Sequence, residues 1–188
     1  MRARLLVPDL WPPPGMEDAC RGLRLPGLEL LLGKGTLVQS GSESLEDWLF
    51  ARFGCTRSGD WPVAPVTLLA DGGDPGREFW LRADPVYLRA DGARLVLADS
   101  AAFRISSDEA GALVQALNRH FRDDGLEFQS LRPDRWYLRL PAAPAMTTRT
   151  LQEAAGRGVD SCLPAGPDAL RWHRLLNEVQ MALHGHPV

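Results

Sequence analysis

The order of apolar and polar residues in the second half of the chain predicts one helix most clearly. Ser106 and Glu109 form a capping-box pattern, in which each side chain bonds a backbone amide at the start of a helix. The apolar residues that follow recur every three or four positions, so they share one helix face. We therefore predict a helix after Ser106 that packs on a core through Ala110, Leu113, Val114, Leu117 and Phe121.

Two pairs of strands are predicted around this helix, because short apolar runs flank clusters of turn residues. The pairs are residues 79–88 with 94–97, joined at Ala90-Asp91-Gly92, and residues 126–131 with 135–140, joined at Arg132-Pro133-Asp134. A last helix begins near Asp168, and its apolar face is predicted to comprise Leu175, Leu176, Val179 and Leu183. The order hairpin, helix, hairpin, helix is typical of an α+β layer.

The first part of the chain has a different pattern, which predicts an α/β segment. Short apolar runs predict strands and bulky apolar clusters predict helices. The densest group of turn residues in the chain, Asp71–Gly76, predicts a domain boundary. We therefore expect an α/β segment over residues 1–76 and an α+β unit over residues 77–188. Within the first segment we predict strands at 4–7 and 66–70, and helices at 29–32 and 43–53.

Composition and charge narrow the classes of function. The 188 residues are 45% hydrophobic and 24% charged, which excludes wholesale disorder. The net charge of −3 gives no general attraction to a phosphate backbone. The first apolar run is broken at Pro8 and Asp9, too early for a signal peptide, and no run is long enough to span a membrane. We expect a cytoplasmic protein that binds neither nucleic acid nor membranes.

The cysteines and the C-terminal histidines do not predict a metal site. Cys20, Cys55 and Cys162 are odd in number and widely spaced, so we expect reduced thiols and no disulfide framework. His184 and His186 have no carboxylate or thiol at ligand spacing.

Two polar residues in the first segment are candidates for chemistry. Asp9 follows a predicted strand, where α/β folds bind ligands and metals, although an aspartate beside Pro8 also suits a simple loop. Ser42 precedes a predicted helix, so it is either a helix cap or a nucleophile that a base or metal activates.

Arg82 and Asp84 form a third candidate site. They alternate with apolar residues and therefore share one face of a strand. This arrangement is consistent with a salt bridge or with an arginine that binds phosphate. Further arginines that could contribute are Arg104, Arg135 and Arg139.

The order of these features resembles the archaeal-type cofactor-independent phosphoglycerate mutases of the alkaline phosphatase superfamily. It resembles more closely their shortened bacterial relatives, the RpfE-type regulatory proteins. Gly41-Ser42-Glu43 is similar to the nucleophile motif G-S-[DE] of that family. The other segments that carry the resemblance are Leu5–Asp9, Leu25–Gly35, Trp80–Ser100 with the Ser106 helix, and Leu176–Val188.

The resemblance implies roles for individual residues. Ser42 would be the phosphorylated nucleophile, Asp9 a metal ligand, and Arg82 with Asp84 a phosphate-binding pair. Glu46, however, stands where the mutases have a histidine, and their second ligand set, an Asp-His cluster, would lie beyond Val188. A two-metal site needs both sets. We therefore expect a non-catalytic regulatory or binding relative without a cofactor, or alternatively a phosphotransferase that uses manganese or zinc.

The same resemblance also implies which partners to expect. A regulatory relative would bind a protein partner or a small phosphorylated ligand. Since the chain stops inside the last resembling segment, we expect it to be truncated there. An apolar patch near Met181 and Leu183 would then be exposed and would favour self-association through the C-terminal helix.

Overall fold

The computed structural model shows a mixed α/β protein with small antiparallel sheets, which confirms the predicted fold class. The chain divides into two compact units, Met1–Thr56 and Arg57–Val188. No helix in the described part of the chain is long and apolar enough to cross a membrane. The structure describes residues 7, 10, 21–36, 44–57, 59–92, 94–100 and 102–187.

Two helices are described in the first unit, α1 (Pro26–Lys34) and α2 (Leu45–Arg52). Both helices coincide with the predictions made from the sequence. Helix α2 begins with a capping box, in which Ser44 Oγ accepts from the Asp47 amide at 3.1 Å and Asp47 accepts from the Ser44 amide at 3.2 Å. The strand predicted at residues 4–7 lies outside the described residues, apart from Val7.

The second unit contains helices α3 (Val63–Ala70), α4 (Ser107–His120) and α6 (Ala169–His184), and it is built on a three-stranded antiparallel sheet with β5 (Arg135–Leu140) in the centre. Alternation along the strands gives this sheet two differently covered faces. Leu81, Leu138 and Phe128 lie on the face that packs against α4 and α6, whereas Trp80 and Tyr137 lie on the face covered by α3. The elements of this unit are α3 (Val63–Ala70), β1 (Phe79–Arg82), β2 (Tyr87–Asp91), β3 (Arg94–Ala98), α4 (Ser107–His120), β4 (Glu127–Arg132), β5 (Arg135–Leu140), α5 (Leu151–Ala154) and α6 (Ala169–His184).

Helix α4 confirms the prediction made from its capping box and apolar spacing. Ser106 and Glu109 cap it reciprocally, at 3.2 Å and 2.8 Å. Asn118 ties the helix to β4, because its side chain donates to the Phe128 carbonyl at 2.9 Å and accepts from the Phe128 amide at 2.7 Å. The predicted apolar face is buried at Ala110, Val114, Leu117 and Phe121, and Leu113 packs beside it.

The strand predicted at residues 66–70 is wrong, because this segment belongs to helix α3. Valines favour strands locally, but Ala64 and Leu68, four residues apart, are both buried against the sheet. Pro65 is tolerated because it lies in the first turn, where a helix needs no amide donor. Gly73 brings the chain back close to α3, and a Cβ there would stand 2.6 Å from Leu68 Cδ1.

The strand predicted over residues 79–88 is divided in two. Its first half, β1, pairs with β5, and its second half, β2, pairs with β3 in the expected hairpin. The break contains Asp84 and Pro85, and the Asp84 carboxylate accepts from the Trp136 amide at 3.1 Å. The Ala83 amide still donates to the Trp136 carbonyl at 2.9 Å, so the Asp84 side chain replaces only the second bond of this pair before the chain turns away from β5.

Helix α6 begins at Ala169 and packs its apolar face on the core through Trp172, Leu175, Val179 and Leu183. Leu176, which the spacing predicts for the same face, is exposed. Met181 is 75% exposed, whereas Leu183 is half-buried against the core. The predicted apolar patch therefore contains Met181 but not Leu183. Self-association through this helix remains a prediction.

Candidate functional site

A cluster of polar side chains lies between α3 and the sheet, beside the buried residues Leu68 and Trp80. Sheet alternation directs Arg82 and Tyr137, which are opposite each other in β1 and β5, toward α3. The last turn of α3 and the residue after it supply Thr67 and Asp71. We call Thr67, Asp71, Arg82, Asp84, Arg135 and Tyr137 the Asp71 cluster.

Asp71 is the most heavily bonded carboxylate of the cluster. It accepts from the Tyr137 hydroxyl at 2.6 Å and from Arg135 at 2.9 Å and 3.2 Å, and Arg132 lies 3.7 Å away. Only 4% of its side chain is exposed. Burial by itself would raise the pKa of Asp71, but the hydrogen bond from Tyr137 and the charge of Arg135 outweigh burial and lower it. Asp71 is therefore ionised at neutral pH.

Tyr137 is a buried donor that remains protonated at neutral pH. Burial and the neighbouring Asp71 carboxylate both raise the pKa of its hydroxyl. The Arg82 guanidinium lies over its ring at 5.6 Å from the centroid. Removal of the Tyr137 proton would place a second negative charge beside Asp71, so the hydroxyl acts here as a structural donor.

Arg82 and Asp84 form a two-pronged salt bridge. Arg82 Nε donates to one carboxylate oxygen at 3.1 Å and its Nη2 donates to the other. Arg82 also reaches Thr67 Oγ1 at 3.4 Å. The geometry thus contains the salt bridge, one of the two interpretations of this pair, and a phosphate-binding role for Arg82 and Asp84 remains a prediction.

A second group of charges continues along the same face of the sheet. Arg139 donates to Glu127 at 2.9 Å through Nε. Its Nη1 lies 3.7 Å from the carboxylate of Glu78. The hydrogen bonds from Arg139 and Gln129 lower the pKa of Glu127. Four arginines on or beside this face therefore lie against four carboxylates: Arg82, Arg132, Arg135 and Arg139 against Asp71, Asp84, Glu78 and Glu127.

The other predicted site residues are not brought together with this cluster. Asp9 and Ser42 lie outside the described residues, so their chemical roles remain predictions. The interpretation of Ser42 as the cap of the following helix is wrong, because Ser44 caps α2. Glu46 lies in the first turn of α2. Within the described ranges, no three histidine, cysteine or acidic side chains are grouped as a metal would require. The described cysteines, Cys55 and Cys162, are free thiols.

The sequence indicates the arginines of this site but not their main partner. The position of Arg135 and Arg139 in the second hairpin makes both of them candidates. The sequence indicates only a turn at Asp71, because Asp71 and Arg135 are 64 positions apart and no local pattern predicts their contact. The alternation of Arg135 and Tyr137 along β5 is the one available signal that both share a face.

Comparison with known protein families gives a match over the second part of the chain. Residues 76–188 match the family model described as 2,3-bisphosphoglycerate-independent phosphoglycerate mutase. This range covers more than half of the chain and includes β1 to α6. No curated protein and no solved structure matches the chain significantly.

Proposed function

Because this chain belongs to the 2,3-bisphosphoglycerate-independent phosphoglycerate mutase family, we propose that it is a non-catalytic member of the RpfE regulatory type, within the alkaline phosphatase superfamily. It acts by binding a protein partner or a small phosphorylated ligand. The alternative is a metal-dependent phosphotransferase, with Ser42 as nucleophile and Asp9 as a ligand for manganese or zinc. The family's description as a mutase favours that alternative.

The observation that carries the proposal is the internal charge balance of the family-matched unit. A phosphate that binds to Arg82 would have to displace Asp84, which makes a two-pronged bond to Arg82 and also accepts from the Trp136 amide. The displaced carboxylate, whose side chain is only 7% exposed, would then be left buried beside an anion. This cost supports a structural role for Arg82, because a phosphate-binding role would require its salt bridge to Asp84 to open.

The first segment supplies a second argument. The resemblance places a histidine at the position of Glu46, and Glu46 lies in the first turn of α2, two residues after the cap Ser44. A glutamate in the first turn of a helix stabilises that helix through its dipole. Its presence therefore needs no metal.

The test is an assay for interconversion of 2- and 3-phosphoglycerate by the full chain, with and without added Mn²⁺ or Zn²⁺. We expect turnover no greater than that of a Ser42→Ala variant. Ser44→Ala is the matched control, because Ser44 caps α2 and has no proposed chemical role. Metal-dependent turnover that is lost in Ser42→Ala and kept in Ser44→Ala would refute the proposal and establish the enzyme.

A titration with 3-phosphoglycerate separates a structural Arg82 from a binding Arg82. If the chain binds this ligand, Arg82→Gln should lower stability and leave the affinity within about threefold, a change of less than 1 kcal/mol. Arg119→Gln, at an exposed position of α4, is the control. A loss of affinity of tenfold or more in Arg82→Gln alone would assign the phosphate-binding role to Arg82.

We also propose a cytoplasmic location, which the free thiols of Cys55 and Cys162 support and which cell fractionation tests.

A further inference from the structure

The outer edge of strand β2 has backbone groups that no described residue bonds. In the ladder between β2 and β3, Leu88 lies opposite Leu97. The Leu97 amide donates to the Arg157 carbonyl at 3.1 Å, and its carbonyl accepts from the Gly156 amide at 2.8 Å. The backbone groups of Leu97 therefore point away from β2, so this is a non-hydrogen-bonded pair of the antiparallel ladder.

The orientation of β2 follows from this pair. In a non-hydrogen-bonded pair, both residues direct their amide and carbonyl away from each other, and the pattern repeats every second residue. Leu88 and Ala90 consequently present these groups at the outer edge of the hairpin. No backbone hydrogen bond among the described residues reaches these amides and carbonyls. The outer side of β3, by contrast, is bonded to residues 156–157. An edge of this kind is a template for another strand.

The side chains along this edge include one positive and one negative charge. Arg89 and Asp91 are exposed and project from the same face of the hairpin, because they are two residues apart. Neither makes an ion pair within the described part of the chain. Tyr87, on the same face, is 58% exposed.

These features are self-complementary in one register. Two antiparallel copies of β2 must pair outward-facing residues with each other, which allows a two-fold axis at Leu88, Arg89 or Ala90. An axis at Arg89 sets two arginines directly opposite each other, which is unfavourable. An axis at Leu88 sets Arg89 opposite Tyr87 and Asp91 opposite Pro85, so the charge of Asp91 is not matched. An axis at Ala90 sets Arg89 of each copy opposite Asp91 of the other, so that both charges are matched twice.

We propose that β2 pairs with β2 of a second copy of this chain about an axis at Ala90, and that Arg89 lies opposite Asp91 on both sides. The two hairpins then form one four-stranded sheet, in which the amides and carbonyls at the edge are bonded. A ribbon of five residues buries less surface than a stable dimer needs, so the association is weak and depends on concentration.

Sedimentation velocity of the full chain over a range of concentrations tests this pairing. We expect a mass that rises toward that of two chains. Arg89→Asp and Asp91→Arg each place like charges opposite one another and should weaken the dimer about tenfold or more, because two pairs change at once. The double variant, which exchanges the two charges, should recover the original dissociation constant to within about threefold. Arg104→Asp, with the same charge change at an exposed loop position, should have no effect.

Two further variants distinguish the β2 edge from the exposed surface of α6. Leu88→Pro removes an outward amide that β3 does not use, so it should abolish the dimer while the circular dichroism spectrum is kept. Met181→Glu alters the exposed residue of α6 and should leave the dimer unchanged. A chain that is monomeric at all concentrations, a double variant as weak as the singles, or a dimer lost in Met181→Glu and kept in Arg89→Asp would overturn the proposal. Binding of a foreign extended peptide at β2, with no dimer formed, would also overturn it.

Discussion

Asp71→Asn is the substitution that tests the Asp71 cluster most directly. The change keeps the size of the side chain and removes its charge. Arg135 then loses the anion that it contacts at 2.9 Å, and Tyr137 keeps at best a weaker acceptor at 2.6 Å. We expect the variant to be destabilised because these buried donors face a neutral amide.

The magnitude follows from the burial of the partners. Removal of one member of a buried ion pair costs about 3–5 kcal/mol, and a surface pair contributes at most about 1 kcal/mol. The Asp71 side chain is 4% exposed and that of Arg135 is 32% exposed, so the pair lies between these limits. We expect a loss of about 2–3 kcal/mol in the free energy of unfolding.

Urea unfolding of the full chain, followed by tryptophan fluorescence, measures this loss. Asp74→Asn is the matched control, because Asp74 accepts from the Gly76 amide in an exposed turn, at 2.9 Å. It should change the free energy of unfolding by less than about 0.5 kcal/mol. The reasoning is refuted if the two variants differ by less than about 1 kcal/mol.

The pH dependence of the free energy of unfolding tests the same contacts independently. The pKa of Asp71 is lowered from its usual 3.8, so its contribution is complete at neutral pH and is lost as the pH falls through the lowered value. The difference between wild type and Asp71→Asn should therefore shrink in acid. The pKa of Tyr137 is raised from 10.0, so its contribution is present below that pH and is lost as the pH rises through the raised value. A difference that grows in acid would contradict this assignment.

Two further predictions concern helix α4. Leu117→Ala should cost about 2–5 kcal/mol in chemical denaturation, because Leu117 is buried against the sheet, and a cost under about 1 kcal/mol would contradict that packing. Asn118→Leu should cost about 1–3 kcal/mol, because it leaves the Phe128 amide and carbonyl without their partner, and Gln115→Leu at an exposed position is the control. Faster amide exchange at Phe128 in Asn118→Leu, with none in the control, would identify the lost bonds directly.

The elements that the sequence predicts well are those whose local signals agree with their tertiary environment. Helix α4 has a capping box at its start and an apolar face that the sheet buries, so both levels point to the same structure. The hairpin of β4 and β5 is likewise specified by its turn residues. Such agreement allows the position and the buried face of α4 to be predicted together.

Helix α3 and the Asp71 cluster depend on distant contacts, and the sequence does not predict them. Val63 and Val66 favour a strand locally, but the helix is selected because it buries Ala64 and Leu68 in one cluster with Trp80 and Tyr137. Asp71 acquires its role only when that helix places it against β5. Local patterns contain no information about such a pairing, so the candidate site can be predicted only as far as its arginines and Asp84.

The position of α3 on the far side of the sheet has a consequence for any attempt to dissect the protein. The family match begins at residue 76, whereas the compact unit begins at Arg57. A fragment cut at the family boundary would lack Leu68 and Asp71, so Trp80 and Tyr137 would face water and Arg135 would lose its anion. The start of the family match and the start of the compact unit therefore differ by about one helix. A fragment should be cut before Arg57 if its behaviour is to represent that of the whole unit.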